Sequence, residues 1–69
     1  MEEFNLKNSD FIELNNLLKV MGLCDTGGMA KVAIAEGEVQ VDGKVELRKR
    51  AKIRAGQIVE MGGRKIMVR

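Results

Sequence analysis

With one cysteine and no histidine among 69 residues, this chain has no covalent or metal staple to rely on. Cys24 alone rules out an internal disulfide, and a zinc site lacks its usual ligands. A chain this short buries only about 60% of the surface its unfolded form exposes, near the lower limit for folding unaided. Stability must therefore come from one small apolar core, and residues 1–69 are expected to form a single domain. A lone cysteine fits a reducing compartment. Cys24 itself is expected to be a small buried hydrophobe, since no histidine stands by to deprotonate it. No apolar run approaches the length of a bilayer span, and the opening MEEFNLKNSD is acidic where a secretory signal is basic. A cytoplasmic location without membrane contact is the expectation.

That core can be placed from periodicity. Phe11, Leu14, Leu17, Leu18 and Met21 recur at spacings of three and four, which predicts a helix over 10–21. Asp10 is its expected cap, with Glu13 reaching back in a capping box, and Gly22 is its stop. A second helix is predicted over 27–36, capped by Thr26 or Asp25, with an apolar stripe of Met29, Ala30, Ala33 and Ile34 and an end at Gly37. Two amphipathic helices thus open the expected fold.

Strand signals follow. Val39 and Val41 alternate with polar residues before the turn dipeptide Asp42-Gly43. A two-residue loop there would set Val41 opposite Lys44 and Val39 opposite Glu46. A three-residue loop with Gly43 in a left-handed bulge position would set Val39 opposite Val45, and this apolar match is the expected register. Around Gly62-Gly63 the pairing is cleaner: Met61 opposite Arg64, Glu60 opposite Lys65, Val59 opposite Ile66 and Ile58 opposite Met67. Between the hairpins, LRKRAKIRAG follows neither period and is expected to be an exposed connection pinned by Ile53, with a turn at Ala55-Gly56.

Charge is unevenly divided. Residues 1–36 carry six acids and three bases, net −3, whereas residues 37–69 carry four acids and nine bases, net +5, which together give the +2 of the whole chain. Six cations, Lys44, Arg48, Lys49, Arg50, Lys52 and Arg54, crowd onto and after the first hairpin. Such asymmetry suits a polyanionic partner, with a solvated basic face as the plain alternative. If the segment runs extended, Arg48 and Arg50 point the same way and Lys49 points elsewhere.

The ordered set Leu14, Leu18, Gly22, Thr26, Ala30, Ala33, Ile34, Gly37, Val39, Val41, Asp42, Gly43, Val45, Ile53, Gly56 and Val59 resembles the RNA-binding domain named after ribosomal protein S4, the alpha-L motif. The chain is most similar to its small free-standing bacterial members. The resemblance implies an α+β fold in which two N-terminal helices pack on a small, mostly antiparallel sheet. It also implies that structured RNA, ribosomal or tRNA-like, is held by the helices and the basic connection, with ribosomal or translation-associated proteins as further partners. The chain departs from the family pattern at Glu13-Leu14-Asn15, where relatives often have Arg-Leu-Asp. It departs again at Gly27, where they have Arg, and at Gln57, where Asp is frequent. These departures shift the expected contacts onto Lys31 and the cluster Lys44, Arg48, Lys49, Arg50, Lys52 and Arg54.

Thr26, Gly27 and Gly28 admit two readings. Unobstructed amides at a helix start attract a phosphate, or else the segment is a plain cap whose glycines permit close helix packing. TGGMAK lacks the spacing of a nucleotide-binding loop. No catalytic pair is recognisable without His, Tyr or Trp, so no enzyme, cofactor or metal is expected. Aromatic rings for stacking single-stranded bases are limited to Phe4 and Phe11, and Phe11 is assigned to the core. Cations on phosphates, with little base readout, instead suit a folded RNA recognised by shape. The competing class is an adaptor that docks an acidic protein surface.

Overall fold

The computed structural model describes residues 1–69. Its elements are β1 (Glu2–Phe4), β2 (Ile12–Glu13), α1 (Leu14–Val20), α2 (Gly27–Ala35), β3 (Val39–Val41), β4 (Lys44–Val45), β5 (Lys52–Ile53), β6 (Ile58–Met61) and β7 (Arg64–Val68). Five strands form one sheet in the order β1-β7-β6-β3-β4, while β2 and β5 form a separate antiparallel ribbon. Within the larger sheet only β1 and β7 run parallel. The class is α+β with a mostly antiparallel sheet, but the helices do not open the chain. Glu2–Phe4 is too short to show alternation, and it becomes a strand by pairing with β7 from the far end of the sequence.

The first helix starts at Leu14, not at residue 10. Glu13 occupies its N-cap in extended conformation (φ −69°, ψ 142°) and makes no side-chain cap bond, so the Asp10–Glu13 capping box does not form. Tertiary pairing replaces it. Ile12 and Glu13 lie opposite Ile53 and Lys52, and the amides of Leu14 and Asn15 donate to the carbonyls of Ala51 (2.8 Å) and Lys49 (3.1 Å). The open amides of a helix start are thus met by backbone from the basic connection. Phe11 is drawn out of the core by the same arrangement and is only half-buried.

The second helix spans its expected residues to within one at its end, and Thr26 Oγ1 accepts from the Met29 amide at 3.1 Å. Ala30, Ala33 and Ile34 face inward, whereas Met29 stands 52% exposed and so leaves the expected inner stripe.

The two hairpins fare differently. All four expected pairs between β6 and β7 are present. At Asp42-Gly43, however, the loop has two residues: Val41 faces Lys44 and Gln40 faces Val45. Asp42 (φ 53°) and Gly43 (φ 83°) both adopt left-handed backbone, the signature of a type I′ turn. Two facts defeat the bulged register. β4 is an edge strand whose Val45 need not be buried and is 53% exposed. Asp42 is also held by β6, donating its amide to Ile58 O (2.8 Å) and accepting from the Ile58 amide (3.0 Å) and Gln57 Nε2 (3.1 Å).

The buried apolar residues form one cluster. Leu14, Leu17, Leu18, Ala30, Ala33 and Ile34 come from the helices, Val39, Val59, Ile66 and Val68 from the sheet, and Ile53 and Ala51 from the connection; Cys24 is buried among them, as expected. Burial pushes the Cys24 thiol above its ordinary range, and the Glu38 and Asp25 charges add to this. Across the sheet's other face Gln40, Glu60 and Lys65 align on three strands, giving the polar side that alternation requires. No helix is long and apolar enough to cross a membrane.

Candidate nucleic-acid interface

The basic connection is tied down at several points. Its backbone caps α1, Ala51 (5% exposed) and Ile53 (1% exposed) anchor it in the core, and β5 pairs with β2. Every candidate cation from Lys44 to Arg54 is solvent-exposed. An anchored backbone therefore presents solvent-exposed cationic tips, an arrangement suited to phosphates.

The connection is not extended throughout. Lys49 and Arg50 lie in a turn closed by the Ala51 amide on Arg48 O (3.2 Å), so the two arginine forks do not share one direction by strand alternation. Each instead meets a carboxylate of this chain. Arg48 Nε and Nη2 donate to Glu46 at 3.0 Å each, and the Arg48 amide reaches the same carboxylate. Arg50 donates to Glu13, with Nη2 at 3.1 Å from Oε2. The side-chain hydrogen bonds from Arg48 are the main cause holding the Glu46 carboxyl below its usual range, and those that Arg50 donates to Glu13 hold Arg50 more firmly protonated. Both guanidinium groups remain largely solvent-exposed, with side-chain exposures of 80% and 75%, so these pairs are weak and a phosphate can compete for the forks.

Lys44, Lys49, Lys52 and Arg54 form no ion pair. Lys52 and Arg54 flank buried Ile53, and both lie over the Phe11 ring, at 5.0 and 5.7 Å from its centroid. The ring thus gathers two cations by cation–π attraction. Three participants are not among the expected site residues: Glu13, Glu46 and Phe11. The two-residue spacing of Glu46 and Arg48 hints at one contact, but the Glu13–Arg50 pair spans 37 residues and leaves no local signal.

Lys31 and the start of α2 lie apart from this network. Lys31 is exposed on α2 with no ion pair. Thr26 and Gly28 line an open groove together with Met29, Val32, Glu36 and Glu38, and no cation lines it. Close packing does not explain the glycines: a Cβ at Gly27 would meet nothing within 4 Å, and one at Gly28 would meet only Thr26 Oγ1 at 3.8 Å.

This architecture matches a known family. The S4 domain model matches residues 4–69. The chain belongs to the S4 domain family. This S4 domain is 50% identical over 68 residues to YbcJ of Escherichia coli (strain K12), covering 99% of the chain and 97% of YbcJ. It superposes on the solution structure of E. coli YbcJ with a TM-score of 0.75, covering 99% of this chain and 86% of that one, and that structure is described as revealing an alpha-L motif involved in RNA-binding. A third similarity, 34% identity over 56 residues, is to "Probable ribosome maturation protein RlbA" of Bacillus subtilis (strain 168), covering 81% of this S4 domain and 79% of RlbA.

Proposed function

We propose that this S4 domain is a non-enzymatic cytoplasmic module that binds structured RNA, ribosomal or tRNA-like, in ribosome assembly or translation. The observation that carries the reading is the cationic connection from Lys44 to Arg54, whose backbone is fastened to the start of α1 while its side chains face solvent. Lys44, Lys49, Lys52 and Arg54 are the primary phosphate contacts, since none is neutralised by a carboxylate. Arg48 and Arg50, held by Glu46 and Glu13, are secondary contacts, made only where a phosphate displaces the carboxylate. Lys31 extends the contact along α2, whereas the start of α2 at Thr26, Gly27 and Gly28 is left out of the phosphate contacts, because Thr26 and Gly28 line a groove edged by Glu36 and Glu38 with no cation.

Shape rather than base identity is the recognised property. Phe11 carries Lys52 and Arg54, and Phe4 is half-buried in β1, so neither ring is free to stack on an unpaired base. The RNA-binding description of YbcJ and the ribosome-maturation name of RlbA support the same direction.

Filter binding with a hairpin RNA, an unstructured RNA of equal length and a DNA duplex tests the reading. The hairpin RNA is expected to bind most tightly. Equal affinity for all three would reduce the cluster to nonspecific attraction, and absence of RNA binding alongside capture of an acidic protein would favour the adaptor.

A further inference from the structure

A second surface has the opposite chemistry. α2 reads GGMAKVAIA, so its one charged residue is Lys31 and apolar side chains run nearly all round it. Ala30, Ala33 and Ile34 already fill the core, yet Met29 and Val32 point outward and are 52% and 57% exposed. A helix apolar on every side is built to be covered on every side. Beside these residues lies an open groove of about 580 Å³, floored by Leu23, Met29, Val32 and Met61 and edged by Glu36 and Glu38.

The rim charges say what kind of occupant the groove admits. Glu2, Glu3, Glu13 and Glu46 are all paired with arginines, whereas Glu36 and Glu38 have no cationic partner. Nearby Asp25 adds a third unpaired carboxylate, and the Glu38 and Asp25 charges both reach Cys24 at the groove wall. No cation of the chain lines the groove to offset them. A polyanion is therefore repelled, and an acidic protein is repelled with it.

We infer that the α2 groove is a docking site for a cationic amphipathic segment of a partner protein, whose large apolar side chains fill the space over Met29 and Val32 while its lysines or arginines meet Glu36 and Glu38. The pairing of an apolar floor with a charged rim follows the anatomy of protein interfaces, in which charge at the edge selects the partner and apolar area holds it. With cations on the Lys44–Arg54 connection and carboxylates on the groove, the domain joins an RNA to a basic protein. The inference does not depend on the RNA reading, because the groove shares no residue with the cationic cluster.

The test is an NMR titration of the isotope-labelled full chain with a short synthetic helix bearing leucines on one face and lysines along its flanks. A second helix carries glutamates in place of the lysines. Shifts confined to the groove residues are expected with the lysine helix and not with the glutamate helix. Met29→Gln with Val32→Gln should weaken binding about tenfold or more, the usual loss when central interface anchors are removed. Glu36→Lys with Glu38→Lys should abolish it. All four positions are exposed, so unfolding of these variants is not expected, and the amide spectrum of each checks this directly. Shifts centred on Lys44–Arg54, equal binding of the glutamate helix, or unchanged affinity in both variants would overturn the proposal. So would concentration-dependent shifts at the groove without any peptide, which would assign it to a second copy of this chain.

Discussion

Glu13→Gln should tighten binding to a structured RNA rather than weaken it. In this fold the Glu13 carboxylate occupies the Arg50 fork, with Nη2 3.1 Å from Oε2 and Nε at 3.2 and 3.3 Å from the two oxygens. The substitution releases one guanidinium and removes one negative charge beside the cluster. If Arg50 then meets a phosphate, the salt slope of log K steepens by about 0.7 to 0.9, the increment of one contact. Carried over the tenfold span from about 1 M to 0.1 M salt, that increment is an affinity gain of about five- to eightfold. Stability should change little, because the Arg50 side chain is 75% exposed and such pairs are weak. The assay is filter binding across a salt series with a hairpin RNA that the parent binds. Glu3→Gln, which frees Arg69 far from the connection in sequence, serves as the equal-charge control. If Glu13→Gln leaves slope and affinity at parental values, or matches Glu3→Gln, then Arg50 is no phosphate contact and the reasoning fails.

Two further outcomes bear on the scaffold. Gly43→Val should destabilise the fold by about 1 kcal/mol or more, because Gly43 sits at φ 83° in a turn that admits a β-branched residue only with strain; an unchanged denaturation midpoint would contradict the type I′ turn. Hydrogen bonds from Arg64 and Arg48 hold the Glu2 and Glu46 carboxyls below the usual range, so their contribution is present at neutral pH and is lost as pH falls through their depressed folded values. Thermal melts should show a decline that begins as pH falls through the ordinary glutamate range, continues down to the depressed folded values and is shallower in Glu46→Gln; an identical acid decline in that variant would show the pair is inert.

What could be read from the sequence follows from how local each cause is. The β6–β7 register is legible to the residue because alternation on both strands and the Gly62-Gly63 turn agree. The β3–β4 register is misread because maximising apolar pairs assumes that both strands face the core, whereas β4 is an edge and Asp42 is fixed by bonds to Ile58 of β6 and to Gln57 just before it. The start of α1 is misread for a similar reason: the signal at Asp10 and Glu13 is sound locally but is overridden by carbonyls of Lys49 and Ala51. At the candidate interface the density of cations is plain in the sequence. Which of them are free is not, because Glu13 reaches Arg50 only once the fold is made, and because Phe11 leaves the core to lie beneath Lys52 and Arg54.

The central claim is that Lys44, Lys49, Lys52 and Arg54 meet the phosphates of a folded RNA, and the salt dependence of binding tests it most directly. With about four contacts, log K against log salt should slope by about −3 to −4 in the parent. Replacing Lys49, Lys52 and Arg54 together by Gln should flatten that slope by about 2 to 3 while leaving the fold intact. A parent slope near zero, or a variant whose slope equals the parent's, would contradict it.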